Sequence, residues 1–199
     1  MRRLVLALVA AALFASLAAC EADAQPSASR SAGPACLERV EPSAPAAARG
    51  TESGPALPAM ALPCFSGGRF TDLAALGDRP TVVNLWASYC RPCMEELPAM
   101  QSFAADGAGR VRVVGVVTKD RHDMAQSVID DKKLTFPMLE DQGQQLAIAA
   151  SPLVSKGLTA LPATLFVTEG GRIVYAYQGE ALTEARLKEL TGRYLGVSL

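Results

Sequence analysis

The chain has 199 residues, half of them hydrophobic, which suits one domain with a sizeable core plus extra segments better than two full domains. With 19 basic and 20 acidic residues the formal charge is −1. No basic surplus points to nucleic acid, and no long charge run points to an acidic partner.

In chain order, Met1, Arg2 and Arg3 make a short positive start, and residues 4–17 are apolar apart from Ser16. A run of roughly 14 residues suits a signal-peptide core and is too short for a usual spanning helix. It ends in Leu17-Ala18-Ala19-Cys20, which resembles the bacterial lipobox. The resemblance implies a lipoprotein signal peptide over residues 1–19, cleavage before Cys20 and a lipid on the Cys20 thiol. An ordinary secretory signal with a chance cysteine is the other reading. Lipidation would hold the protein on the outer face of the cell membrane, where disulfides are permitted.

Residues 20–56 are rich in Ala, Pro, Ser and Gly with no helical or strand period, and read as a flexible tether. Of the five cysteines, at 20, 36, 64, 90 and 93, four remain once Cys20 is set aside. Cys90 and Cys93 form one plausible pair. Cys36 and Cys64 are the other by elimination, as a structural disulfide pinning the tether to the domain edge, with two free thiols as the alternative.

The folded part is expected over 57–199. A short strand, a turn and a short helix are read near 70–76. The β-rich run at 81–86 predicts a buried parallel strand. A helix follows over 91–105, with Met94, Leu97, Met100 and Phe103 at intervals of three. A second buried strand is expected at 111–117, a helix at 122–133, a short strand at 136–139 and a helix at 142–150. Strands at 164–167 and 173–177 flank Glu169-Gly170-Gly171-Arg172, a hairpin signal, and a closing helix spans 183–194. The alternation predicts an α/β fold with a parallel core, and the late hairpin makes the sheet mixed. No G-x-G-x-x-G or phosphate loop occurs, so no nucleotide site and no cofactor is expected.

Cys90-Arg91-Pro92-Cys93 sits between a predicted strand and a predicted helix. Free N–H groups and the dipole at a helix start favour a thiolate, so Cys90 is the expected nucleophile. Cys93, about one turn on, is positioned to resolve a mixed disulfide. Pro92 suits an early helix position, where its missing N–H has no intrahelical use.

Asn84-Leu85-Trp86-Ala87-Ser88-Tyr89-Cys90-Arg91-Pro92-Cys93, with Glu96 and Pro98, and then Leu161-Pro162-Ala163-Thr164-Leu165-Phe166-Val167, resemble the thioredoxin superfamily. The nearer resemblance is to its TlpA/ResA-like (DsbE/CcmG-like) branch of membrane-anchored thiol-disulfide oxidoreductases, over about 57–199. That resemblance implies a thioredoxin-like fold with a central mixed sheet flanked by helices and an inserted helix and strand over about 122–150. It implies a cis Leu161-Pro162 bond facing the cysteines, where backbone groups can pair with a bound peptide and metal capture by the thiols is blocked. It implies protein clients with thiols or disulfides, a membrane redox partner, and a role in cytochrome c maturation or oxidative folding. It also implies that Glu96 tunes the cysteines. Asn84 stands where plain thioredoxins have a buried Asp, and Asn cannot serve as a base.

Around the pair, Tyr89 supplies an aromatic wall, Trp86 is read as half core and half wall, and Arg91 favours thiolate and so the oxidant direction. The family resemblance leans instead toward reduction of clients. Glu95 is read as solvated. A thioredoxin-fold copper metallochaperone is the first competing reading, but it uses C-x-x-x-C and a distal His, whereas here the only His is His122. Zinc needs four ligands, and two are missing. A peroxiredoxin expects Thr three residues before its nucleophile, where this chain has Ala87. A binding domain with a purely structural disulfide is the last alternative.

Overall fold

The computed structural model describes residues 36–37, 54–153 and 157–199, all within the unit Ala32–Leu199. The expected signal peptide over 1–19, the lipidation site Cys20 and most of the tether lie outside the described residues. Among the described residues no helix is long and apolar enough to cross a membrane.

Among the described residues, seven strands and four α-helices follow in order. They are β1 (Ala61–Pro63), β2 (Phe70–Asp72), a 3₁₀ turn (Leu73–Asp78), β3 (Thr81–Trp86), α1 (Arg91–Asp106), β4 (Arg112–Thr118), α2 (His122–Asp131), β5 (Met138–Asp141), α3 (Gln145–Ala150), a 3₁₀ turn (Ser151–Leu153), β6 (Ala163–Val167), β7 (Ile173–Gln178) and α4 (Glu184–Leu195). The main sheet has the order β5-β4-β3-β6-β7. β3, β4 and β5 run parallel, while β6 and β7 are antiparallel to their neighbours, so the sheet is mixed as expected. β1 and β2 pair as a separate antiparallel ribbon.

Period two along β3 sorts its side chains. Val82 and Trp86 join the cluster with Leu97, Met100 and Phe103 of α1 and Leu187 and Leu190 of α4. Val83 and Leu85 join the opposite cluster with Leu146 and Ala150 of α3. Asn84 therefore points to the same side as α1. The β6–β7 hairpin turns through Gly171, whose φ of 72° is where a residue without Cβ is at ease.

β1 is absent from the sequence reading, and several boundaries differ from it, three of them for reasons visible in the structure. The fold starts before Leu57: Ile173 N–H donates to Pro55 O at 2.8 Å, and Ala56 bridges Arg172. β5 begins at Met138 rather than 136 because Pro137 has no N–H for a ladder and offers only its carbonyl, which accepts from Gly115 N–H. α3 begins at Gln145 rather than 142. Asp141 caps it from the strand end, accepting from Gln145 N–H at 2.7 Å and Leu146 N–H at 2.9 Å.

The structure pairs Cys36 with Cys64 as a disulfide, with Cα atoms 5.7 Å apart. Cys64 follows β1 and bridges Leu139 of the edge strand β5, while Phe65 N–H donates to Met138 O. This stretch thus covers an edge that would otherwise be open to pairing.

Candidate active site

Cys90 is the N-cap of α1, with extended backbone and its Sγ accepting from Cys93 N–H at 3.2 Å. A sulfur in that place takes the role of a capping oxygen, and the contact strengthens when the sulfur is a thiolate. Cys90 and Cys93 are joined as a disulfide, with Cα atoms 5.2 Å apart. They differ in access: Cys90 keeps 8% of its surface and Cys93 keeps none. Arg91 opens α1 and Pro92 follows it in the first turn. Pro98 lies inside the same helix and leaves the Met94 carbonyl without its usual donor.

A cleft of about 340 Å³ opens beside Cys90. Tyr89 and Pro92 form one wall, and Leu161 and Ala163 face them from the Leu161-Pro162 loop. The Leu161-Pro162 bond is cis and Pro162 is buried between these two residues. Gln144 and Ala147 close the cleft from the α3 end. Gln178 holds the loop from β7, its Oε1 accepting from Thr159 and Ala160 N–H at 2.8 and 2.9 Å.

Glu96 lies one turn beyond Cys93 on α1 and is fully buried. Burial pushes its carboxyl up to about 7, against the opposing pull of hydrogen bonds from Asn84 Nδ2 at 2.9 Å and Leu182 N–H at 3.2 Å. Glu95 is solvated, its carboxylate 3.6 Å from the Arg91 guanidinium, and the Arg91 side chain is 91% exposed. Solvent and salt screen so exposed a cation, so its bias on the thiols is small.

Trp86 differs from its expected half-wall position. It is wholly inside the core beneath the site, because its place on β3 turns it toward α1 and α4, and its Nε1 has no partner. Tyr89 is exposed at the cleft mouth. His122 opens α2, stacks on Phe65 at 4.3 Å and pairs through Nδ1 with Glu140. Among the described residues no three His, Cys, Asp or Glu side chains gather to hold a metal.

Asp120 is a residue the sequence reading did not single out. Its Oδ1 accepts from Ser88 Oγ at 2.9 Å and Arg121 N–H at 2.8 Å, and its Oδ2 accepts from Ser88 N–H. The carboxylate therefore ties the turn that delivers Cys90 to the end of β4. A lone Asp after a strand looks like any helix-start residue, so sequence offered little signal. Asp120→Ala is expected to lower unfolding free energy by about 2 kcal/mol, read by urea denaturation, because near-buried donors lose a charged acceptor. An unchanged midpoint would show that the turn holds without it.

Residues 54–176 match the family described as AhpC/TSA. The chain is 30% identical over 151 residues to the sporulation thiol-disulfide oxidoreductase A of Bacillus subtilis, covering 74% of this chain and 87% of that relative. It is 28% identical over 162 residues to the thiol:disulfide interchange protein HelX of Rhodobacter capsulatus, covering 80% and 85%. In three dimensions it resembles a thiol:disulfide interchange protein of the thioredoxin family from Chlorobium tepidum, with a TM-score of 0.64 at 19% identity over 72% of this chain and 98% of that one. This last likeness shows a thioredoxin-like fold.

Proposed function

Because the chain belongs to the AhpC/TSA family and, like its named relatives, is a thiol-disulfide oxidoreductase, we propose that Cys90 and Cys93 are the pair that exchanges disulfides with client proteins. The observation that carries this reading is the asymmetry of the pair. Cys90 caps α1 and lines the cleft facing the Leu161-Pro162 loop, while Cys93 is sealed behind it.

In the direction that reduces a client, the Cys90 thiolate attacks one sulfur of the client disulfide. A Cys90–client bond forms and the other client sulfur leaves as a thiolate that takes a proton from water. Cys93 then gives up its proton, and its sulfur attacks Cys90. The Cys90–Cys93 bond forms, the Cys90–client bond breaks, and the second client sulfur departs as a thiol after protonation. Two electrons pass from the pair to the client. A membrane redox partner restores the dithiol, and oxidation of clients is the same sequence reversed. Glu96, one turn beyond Cys93 on α1, takes the Cys93 proton, and backbone groups of Leu161 and Ala163 pair with the bound client segment.

The lipobox at Leu17–Cys20 supports a lipid anchor on Cys20, outside the cytoplasm, and the Cys36–Cys64 bridge ties the anchored segment to the domain. Cytochrome c maturation and oxidative folding are the settings the TlpA/ResA-like resemblance supports. Incorporation of labelled fatty acid in a bacterial host should be lost in Cys20→Ala; labelling that persists would reject the anchor.

The pair itself is tested by brief reduction followed by limiting iodoacetamide and peptide mapping. Label should accumulate on Cys90 and spare Cys93, and insulin-disulfide reduction should vanish in Cys90→Ser. Preferential label on Cys93, or full activity in Cys90→Ser, would overturn the assignment.

A further inference from the structure

Four elements meet beneath the active-site helix. Glu96 of α1 presents Oε2 to β3, where Asn84 Nδ2 donates at 2.9 Å, and Oε1 to the chain before α4, where Leu182 N–H donates at 3.2 Å. The second hydrogen of Asn84 Nδ2 goes to Thr164 Oγ1 of β6 at 3.1 Å. Asn84, Glu96 and Thr164 have no exposed surface. The other end of the carboxamide, Asn84 Oδ1, is buried without a partner.

A carboxamide has a donor end and an acceptor end, and its two orientations occupy almost the same volume. As it stands, Asn84 turns the donor end to Glu96, which matches a carboxylate. Rotated half a turn, it would present Oδ1 to the same two neighbours. Oδ1 can then accept the O–H of protonated Glu96 and the O–H of Thr164, so each form of Glu96 has a matching orientation. A fixed buried donor would favour the carboxylate alone, and a purely apolar wall would favour the acid alone. The idle Oδ1 is the acceptor that the second orientation would use.

We propose that Asn84 is the positioning residue that lets Glu96 take up and release a proton beside Cys93, by turning its carboxamide to suit whichever form is present. The inference rests on the reading that Cys90 and Cys93 exchange disulfides with Glu96 as the proton group. When Cys93 closes the internal disulfide, its proton passes to Glu96 Oε2, and Asn84 turns Oδ1 to accept that O–H. When the disulfide is reopened, the proton returns to the Cys93 sulfur and Asn84 turns back. Cys93 lies one turn before Glu96 on the same helix, and Tyr177 on β7 is held above its usual value by burial first and then by the Glu180 and Glu96 charges, with Arg186 opposing. Among the described residues no cation acts on Glu96, so Asn84 and the Leu182 N–H are the groups that oppose its burial.

The test is a titration of the Glu96 side-chain carboxyl by carbon NMR on the oxidised protein, with Asn84→Ala beside the native chain. Asn84 bonds both forms, but its bond to the carboxylate is charge-assisted and the stronger of the two, so losing the carboxamide should still raise the midpoint, by up to about one pH unit. The pH profile for resolution of a preformed Cys90 mixed disulfide should move by the same amount. In a Glu96→Gln background, Asn84→Ala should leave that profile where it was. An unmoved midpoint in a folded Asn84→Ala protein, or an equal displacement in the Glu96→Gln background, would overturn the proposal. Should Asn84→Ala fail to fold, Asn84→Ser is the second variant. Its hydroxyl is too short to reach Oε2, so the same upward displacement is expected, and its absence would count equally against the idea. The exchange activity of the native chain separates the two levels. An inert native protein rejects the underlying reading, whereas an active one with an unmoved midpoint rejects only the role of Asn84.

Discussion

Cys93→Ser will hold its clients. Attack by Cys90 is untouched in this variant, so the mixed disulfide forms at its normal rate, but nothing inside the protein can break it. An intramolecular thiol acts at a very high effective concentration, and losing it should slow release by about 10³-fold or more. Non-reducing gels of cells expressing Cys93→Ser should therefore show discrete higher-mass bands that collapse with reductant. Mass spectrometry of those bands would name the clients and place the bond on Cys90. Cys90→Ser should give no such bands, because the remaining thiol is wholly buried and the accessible one is gone. Equal trapping by the two variants would sink the assigned division of labour. The burial difference, small in area, is what makes the experiment directional: a protein sulfur can be approached from the cleft at Cys90 and not at Cys93.

The second large effect is on stability against pH. Burial raises the Glu96 carboxyl from 4.5 to about 7. A group whose folded value is raised contributes stability that is fully present below its unfolded value and is lost as pH rises through its folded value. For Glu96 the window runs from about 4.5 to 7, and the loss across it is about 3 kcal/mol. Glu96→Gln has no such titration. Its amide must set an N–H against one of the two donors, Asn84 Nδ2 or Leu182 N–H, unless Asn84 turns over, and that cost is the same at every pH. The informative quantity is thus the change in the difference between variants. Relative to the native chain, Glu96→Gln should gain about 3 kcal/mol of unfolding free energy between pH 4.5 and 8, measured by denaturant titration of the oxidised proteins. Parallel stability curves would show that Glu96 does not titrate with a raised value in the fold. The same variant should flatten the pH profile of mixed-disulfide resolution, which links the stability effect to the chemistry.

A native protein that keeps an acid in this position accepts a destabilised fold near neutral pH. On the proposed role of Glu96, the raised value is what lets the carboxyl hold a proton and return it to sulfur, since a carboxyl at its solution value would be ionised throughout.

Much of the site was readable because its parts are local. Cys90, Pro92 and Cys93 lie within one helical turn of one another, and the strand before them and the helix after them are strong patterns in their own right. The cis Leu161-Pro162 loop was readable only through family resemblance. Nothing in a lone Leu-Pro before a strand distinguishes it from a trans one. Trp86 was expected as half core and half wall and lies wholly in the core, and the full enclosure of Glu96 was not readable either. A helix face can be inferred from spacing, but which other element covers that face cannot.

The sequence by itself determined the order of the main-sheet strands and the helices (though not β1), the mixed sheet, the placement of the thiol pair at a helix start and the class of chemistry. These rest on period, breakers and the intrinsic properties of residues close together in the chain. Tertiary structure alone decided which thiol is reachable, that Asp120 binds the Ser88 turn, and that Asn84, Thr164 and Leu182 enclose Glu96. Those contacts join residues 12 to 86 positions apart. Their strength comes from exclusion of water, which no residue possesses until the sheet and the helices close over it.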